Sequence, residues 1–169
     1  MAIFIALLRA VNVGGTGTLP MSDLKSLCEG LGLTDVRTYI QSGNVVFGSA
    51  WSEGRVKTAL EAALLTPMKK PVDVLVRSTT EIAAVLKRNP FPSAAGNRVY
   101  VFFFDEPPNK AVFAAIKIPG REEMRLAGRE VYVHYPDGMG RSGLKLATLG
   151  VATARNINTV AKLVTMTRG

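Results

Sequence analysis

Residues 3–17 read IFIALLRAVNVGGTG, and the interpretation of the chain starts from them. Residues 3–8 form a continuous apolar run whose length and branched side chains are typical of a strand buried on both faces. The glycine-rich loop that follows leads to Pro20, where a helix can begin, and Asp23 falls in the first turn of that helix. The stretch therefore predicts a strand, a loop and a helix in that order.

The glycine-rich loop has two interpretations. Backbone amides between a strand and a helix can hold an anion beside the positive end of the helix. The alternative is a turn in which glycine supplies a positive φ. Both phosphate-binding fingerprints are incomplete: no Lys-Ser or Lys-Thr pair follows the glycines, and the third glycine of a dinucleotide-binding loop is missing. The loop alone favours the turn; as an anion site, its candidate residues are Arg9, Asn12, Gly14 and Gly15.

Hydrophobic periodicity gives the element order of the first half. It predicts a helix from the loop to about Gly30, a strand at 36–40, a tight turn at 41–44, a strand at 45–47, a helix from Ser52 to near Pro67, and a strand at 72–77. This β-α-β-β-α-β order is that of a ferredoxin-like domain. Its first two strands run in the same direction, so we expect residues 9–15 and 41–44 at one end of the sheet. The turn adds the candidate residues Gln41, Ser42 and Asn44.

The second half repeats most of this order. The capping box Ser78-Thr79-Thr80-Glu81 begins a helix, and residues 78–97 are expected to link the halves. The pattern then predicts a strand at 99–104, a helix at about 109–116, and strands near 122–126 and 130–135, without a last strand. The prediction is an α+β fold with two ferredoxin-like halves, 1–77 and 98–169, whose antiparallel sheets pack as one compact unit.

The end of the chain is basic. Residues 78–169 hold thirteen Lys/Arg and seven Asp/Glu, and no carboxylate follows Asp137. The pattern predicts a helical segment at 144–149 and a longer helix after Asn156, each with an arginine directly before its N-cap residue. An exposed cation there costs about 0.3–1 kcal/mol, whereas a bound anion would make the same placement favourable. The alternative is a solvated basic face. The candidate binding residues are Arg141, Ser142, Arg155, Asn156, Asn158 and Lys162.

Composition excludes several classes of protein. Cys28 is the only cysteine, so the chain can form neither an internal disulfide nor a cysteine-based metal site, and its place on an apolar helix stripe predicts a core residue. His134 is the only histidine, and no His/Asp/Glu cluster has metal-ligand spacing, so we expect neither metal nor cofactor. The N-terminal apolar run lacks a leader pattern and the length of a membrane span, which predicts a cytoplasmic location.

Three stretches together resemble an uncharacterised, mainly bacterial family known as domain of unknown function 1697. They are LRAVNVGG at 8–15, TYIQSGNVVF at 38–47, and GRS at 140–142 with TARNINTV at 153–160. The resemblance implies a pair of ferredoxin-like halves and brings no established activity. The chain departs from the family pattern at three positions: Ala10 replaces a common glycine, Gly143 replaces a common lysine, and Ile157 replaces a usual tryptophan.

The sequence therefore predicts an anion-binding protein in which no residue is assigned a catalytic role. The net charge of +8 favours a phosphate-bearing small molecule or a nucleic acid as partner, and no membrane is expected. Two alternatives stay open. One is an enzyme of unknown reaction on a phosphorylated metabolite, acting through arginines and backbone amides. The other is a module that binds an acidic protein.

Overall fold

The computed structural model describes residues 1–12, 18–40 and 42–168. The described chain forms eight strands and five α-helices, joined by loops and three short 3₁₀ turns. In chain order the elements are β1 (Ala2–Leu8), α1 (Met21–Gly30), β2 (Thr34–Tyr39), β3 (Asn44–Ser49), α2 (Glu53–Met68), β4 (Val74–Ser78), α3 (Thr79–Lys87), β5 (Val99–Phe104), α4 (Lys110–Ala114), β6 (Glu123–Ala127), β7 (Glu130–His134), β8 (Ala152–Asn156) and α5 (Ile157–Arg168).

The strands form two antiparallel sheets with the same internal order. The first runs β2-β3-β1-β4 and the second β6-β7-β5-β8, so β1 and β5 are the central strands of their sheets. Each has the strand order of a ferredoxin-like domain. The predicted α+β class with two ferredoxin-like antiparallel sheets is confirmed.

The basic end differs from its prediction. Residues 152–156 form the strand β8, which pairs with β5 from Tyr100 opposite Asn156 to Phe104 opposite Ala152. The second sheet therefore has the last strand that the sequence pattern lacked. The helical segment predicted at 144–149 was wrong, because only a 3₁₀ turn at Ala147–Leu149 forms there. The leucines that suggested a helix, Leu144, Leu146 and Leu149, lie in an irregular segment and pack against the hydrophobic core beside the second sheet.

The chain divides into two compact units. One comprises Met1–Ala83 together with the chain from Leu163 onward, and the other comprises Ala84–Lys162. In the first unit, apolar side chains of α1 and α2 cover one face of the sheet. In the second unit, Phe113 of α4 and Ile116 just after this helix pack against the corresponding core, together with the irregular segment.

Cys28 belongs to the core of the first unit, as predicted. Its side chain is fully buried on α1 beside Leu24, and the thiol is free. Burial, and to a smaller extent the charge of Glu29, raise the pKa of Cys28 to about 12.

We expect the native protein to resist thiol labelling. At pH 9 an exposed thiol of ordinary pKa is largely thiolate, whereas the raised pKa keeps Cys28 protonated and burial blocks the reagent. Incubation with 5,5′-dithiobis(2-nitrobenzoate) should release no chromophore from the folded protein and one equivalent after unfolding in urea. One equivalent released promptly without urea would contradict the buried position.

Candidate functional site

The loop after β1 and the β2–β3 turn meet at one end of the first sheet. The amide of Leu8 donates to the carbonyl of Gly43 over 2.9 Å. The backbones are so close that a Cβ built on Gly43 would lie 2.9 Å from the Cβ of Leu8. Gly43 has a φ of +80°, so glycine is required there for both space and conformation. The expected proximity of the two segments is confirmed for their described residues; Gly14, Gly15 and Gln41 lie outside them.

Asn12 ties together the two ends of the glycine-rich loop. Its amide nitrogen donates to the carbonyl of Leu19 over 2.7 Å, and its amide oxygen accepts from the Leu19 backbone N–H over 2.6 Å. Asn12 has a φ of +58°, a conformation that asparagine tolerates better than most residues. The side chain predicted to contact a ligand thus holds the base of the loop, directly before α1.

Arg9 lies at the end of β1, in the same part of the sheet. Its backbone N–H donates to the carbonyl of Asp73 over 2.9 Å, and its guanidinium lies 3.8 Å from the carboxylate of the same residue. Both side chains are 47% exposed, so this ion pair contributes at most about 1 kcal/mol. A stronger anion could therefore compete with Asp73 for the guanidinium.

Asn44 and Ser42 stabilise the neighbouring turn. Asn44 is fully buried, and its amide nitrogen donates to the carbonyl of Tyr39 over 2.9 Å and to the hydroxyl of Ser42 over 3.0 Å. Asn44 was predicted in the turn but is the first residue of β3. Its burial gives it a positioning role, while the half-buried Ser42 lies nearer to solvent.

We expect Asn12→Gly to loosen the base of the loop. Glycine accepts the positive φ, so the substitution removes the two hydrogen bonds to Leu19 without straining the backbone. Their loss costs about 1–3 kcal/mol together, and the greater freedom of glycine in the unfolded chain adds to that cost. Urea unfolding should show that loss, and thermolysin should cleave within residues 13–18 faster than in the unaltered protein. Unchanged stability and cleavage would show that the Asn12–Leu19 bonds do not hold the loop.

Ala10, where glycine is common in the family pattern, has a φ of +56°. A Cβ costs about 1–2 kcal/mol in this conformation, and glycine costs about 0.5–1 kcal/mol through the entropy of the unfolded chain. We therefore expect Ala10→Gly to stabilise the protein by about 0.5–1 kcal/mol in urea unfolding. The same change at Ala62, exposed within the helix α2, should destabilise it by a similar amount. If both substitutions stabilised the protein, or if both destabilised it, this explanation would be contradicted.

In the second unit, Ser142 does not begin a helix. It follows the 3₁₀ turn Met139–Arg141 in extended conformation, so the predicted helix N-cap was wrong. Its hydroxyl donates to the carboxylate of Glu122 and accepts from the Leu144 N–H over 3.1 Å. The bond from Ser142 is the main cause that lowers the pKa of Glu122, which therefore stays ionised.

Arg141 and Ser142 line a small polar pocket of about 160 Å³. An ion pair between Arg121 and Asp137 lies at the same pocket, next to Glu122. The lining thus carries two arginines and two carboxylates in balance. Arg121 and Glu122 carry no local sequence signal of this pocket, because their partners lie 16 and 20 residues further along the chain.

Arg155 lies inside the second unit. Its side chain is 6% exposed, and its guanidinium donates to the Thr153 hydroxyl over 2.6 Å and to the Ala154 carbonyl over 2.9 Å. Burial lowers the pKa of Arg155 to about 10. The expected exposed cation before a helix is thus a buried strand residue, and a ligand in solvent does not reach it in this conformation.

The other candidate residues near Arg155 in the sequence differ in their surroundings. Asn156 caps α5, as predicted, since its side-chain oxygen accepts from the Thr159 N–H over 2.9 Å. The side chain of Asn158 lies so close to Gly96 that a Cβ there would come within 2.0 Å of its oxygen. Lys162 lies exposed on α5. Of these residues, Asn156 lies opposite Tyr100, at the end of the second sheet at which β5 begins.

A second buried arginine occupies the matching position of the first sheet. Arg77 is fully buried on β4 and pairs with Ile5 of β1, as Arg155 of β8 pairs with Val101 of β5. Each arginine donates to the carbonyl of the residue before it. Each is followed by a residue that caps a helix, Ser78 in the capping box with Glu81 and Asn156 as described above. This repeated Arg-cap pair was visible in the sequence and was not recognised.

Comparison with known proteins adds a family and a fold. The family model described as "Protein of unknown function (DUF1697)" matches residues 1–132. The chain belongs to this family. The match confirms the resemblance drawn from the sequence, and it ends within β7, before Arg141 and β8.

A solved structure, described as that of conserved bacterial protein SP0830 from Streptococcus pneumoniae, has the same fold. It is 22% identical, each chain is covered over 98% of its length, and the TM-score is 0.81. The similarity therefore extends beyond the matched family region to the basic end. No curated protein matches the chain. Among the described residues, no helix combines the length and apolar character of a membrane crossing.

Proposed function

We propose that the protein binds a phosphate-bearing small molecule at the loop end of its first sheet. The observation that carries the proposal is the pair of Asn12–Leu19 hydrogen bonds, which close a glycine-rich loop directly before α1. In general, backbone amides between a strand and a helix N-terminus favour bound anions, and these bonds join the two ends of the loop beside α1.

Two further features of the same sheet end support an anion. Helix α1 begins after Pro20, whose own side chain has no capping acceptor, so a ligand oxygen can take that place. Arg9 is half-exposed and its guanidinium lies 3.8 Å from the carboxylate of Asp73, so a phosphate can compete with that carboxylate for the guanidinium. The exposed Asp23, in the first turn of α1, opposes the anion and limits its affinity.

The second set of basic residues supports an anion less well. Arg155 is buried, and Arg141 lies at a pocket whose arginines and carboxylates balance. The proposal therefore assigns the ligand to the first unit and treats Arg141 as a peripheral cation. Amide and guanidinium groups suit the binding of an anion, and no reaction is assigned to the site.

The test is a thermal-shift screen with pyrophosphate, ATP and fructose 1,6-bisphosphate. A ligand at about a hundred times its Kd stabilises the folded protein by about 2.7 kcal/mol, which raises the Tm by several degrees. We expect at least one of these compounds to give such a shift. Arg9→Ala should weaken its binding about tenfold, since a charge-assisted hydrogen bond contributes about 1.5–3 kcal/mol.

Arg55→Ala is the matched control. It removes the same charge from the same unit, but Arg55 lies on α2 over the ring of Trp51, near the opposite end of β3. The affinity of this variant for the ligand should stay unchanged. An equal loss of affinity in both variants would show that only the net charge of the protein matters. The nucleic-acid alternative is tested by measuring the affinity for an octameric RNA with and without about 0.3 M salt. If nucleic acid is the ligand, this affinity should fall steeply as the salt concentration rises.

A further inference from the structure

The second unit carries an open groove that the anion proposal does not use. It has a volume of about 820 Å³ and lies between α4 with the segment after it and residues 143–148. Val112, Ile116 and Pro119 form its apolar wall. Ile118, also in the lining, is 44% exposed and adds apolar surface to the groove.

The charges at the groove have one sign. Of the nine residues that line it in the described chain, two are lysines, Lys117 and Lys145, and none is acidic. Both lysines are exposed, and no described carboxylate forms an ion pair with either of them. An apolar surface with positive charge beside it is complementary to a molecule that joins a hydrocarbon part to one negative group.

The size of the groove indicates a small molecule. Ligand pockets are typically about 300–1,000 Å³, whereas a stable protein interface uses about 20–30 residues a side. Nine lining residues in about 820 Å³ agree with the first class. We propose that this groove binds a small amphiphilic anion such as a fatty acid, with its hydrocarbon chain along the apolar wall and its carboxylate beside Lys117 and Lys145.

Gly143 offers a way to fill the groove without disturbing the core. A Cβ built there meets only Pro119, at the ordinary contact distance of 3.8 Å, and the residue does not need a positive φ. A leucine side chain at this position should therefore fit locally and occupy the space of the ligand. Gly140, where a Cβ meets nothing within 4 Å and which does not line the groove, is the matched control.

The experiment measures binding by calorimetry below the critical micelle concentration, with dodecanoate, dodecanol and dodecyltrimethylammonium as probes. Dodecanoate should bind with at least about fivefold higher affinity than dodecanol, and the cationic probe should bind least. The double variant Lys117→Ala/Lys145→Ala should reduce the dodecanoate affinity about fivefold to tenfold and leave that of dodecanol unchanged, as expected for two partly exposed ion pairs. Lys110→Ala, in α4 but outside the lining, should have no effect.

Gly143→Leu should reduce dodecanoate affinity at least tenfold, and Gly140→Leu should not. Equal affinity for dodecanoate and dodecanol, no binding of dodecanoate, or undiminished binding by Gly143→Leu would each overturn the proposal. Binding of an acidic peptide without binding of dodecanoate would also overturn it, in favour of a protein partner. Because Arg9→Ala should leave dodecanoate binding intact, this site and the phosphate site are tested independently.

Discussion

The hydrogen bond from Leu8 to Gly43 determines which segments of the first unit meet. It fixes the end of the central strand against the β2–β3 turn, so the residues that leave β1 and those that enter β3 share one sheet end. The second unit contains the same bond, from Phe104 to the carbonyl of Arg129. Because the antiparallel register is set at this point in both sheets, the position of every loop relative to its strands follows from it.

The two units differ in what they place at that end. The first has the loop whose two ends Asn12 joins, a helix that begins after Pro20 and a half-exposed arginine 3.8 Å from Asp73. In the second, Arg129 donates to the carbonyl of Asp105, so the matching end is closed by a side chain of its own hairpin. The same fold thus has one end where we propose that the phosphate ligand binds and one where a hairpin side chain bonds to the residue after β5.

The fold could be predicted wherever the hydrophobic pattern was continuous, as in β1 and β5, and where capping residues were explicit, as at Ser78. Strand β8 was missed because Arg155 reads as a solvent-exposed cation, and burial of a charge depends on partners that the pattern does not show. Asn12 and Asn44 were correctly assigned to one sheet end, but their side chains bond to backbone and turn atoms within it. The local sequence thus predicts the position of a residue in the fold more readily than it predicts the hydrogen-bond partner of its side chain.

The connection between the last two strands of each sheet has a further consequence. In the first unit it is the sixteen-residue helix α2, whose Leu60 and Leu64 fill the core. In the second unit no α-helix lies between β7 and β8, and Leu144, Leu146 and Leu149 cover the sheet from an irregular backbone. Residues of this irregular segment form one side of the groove proposed above for an amphiphilic anion. That groove is thus bordered by backbone that stands where the first unit has a sixteen-residue helix.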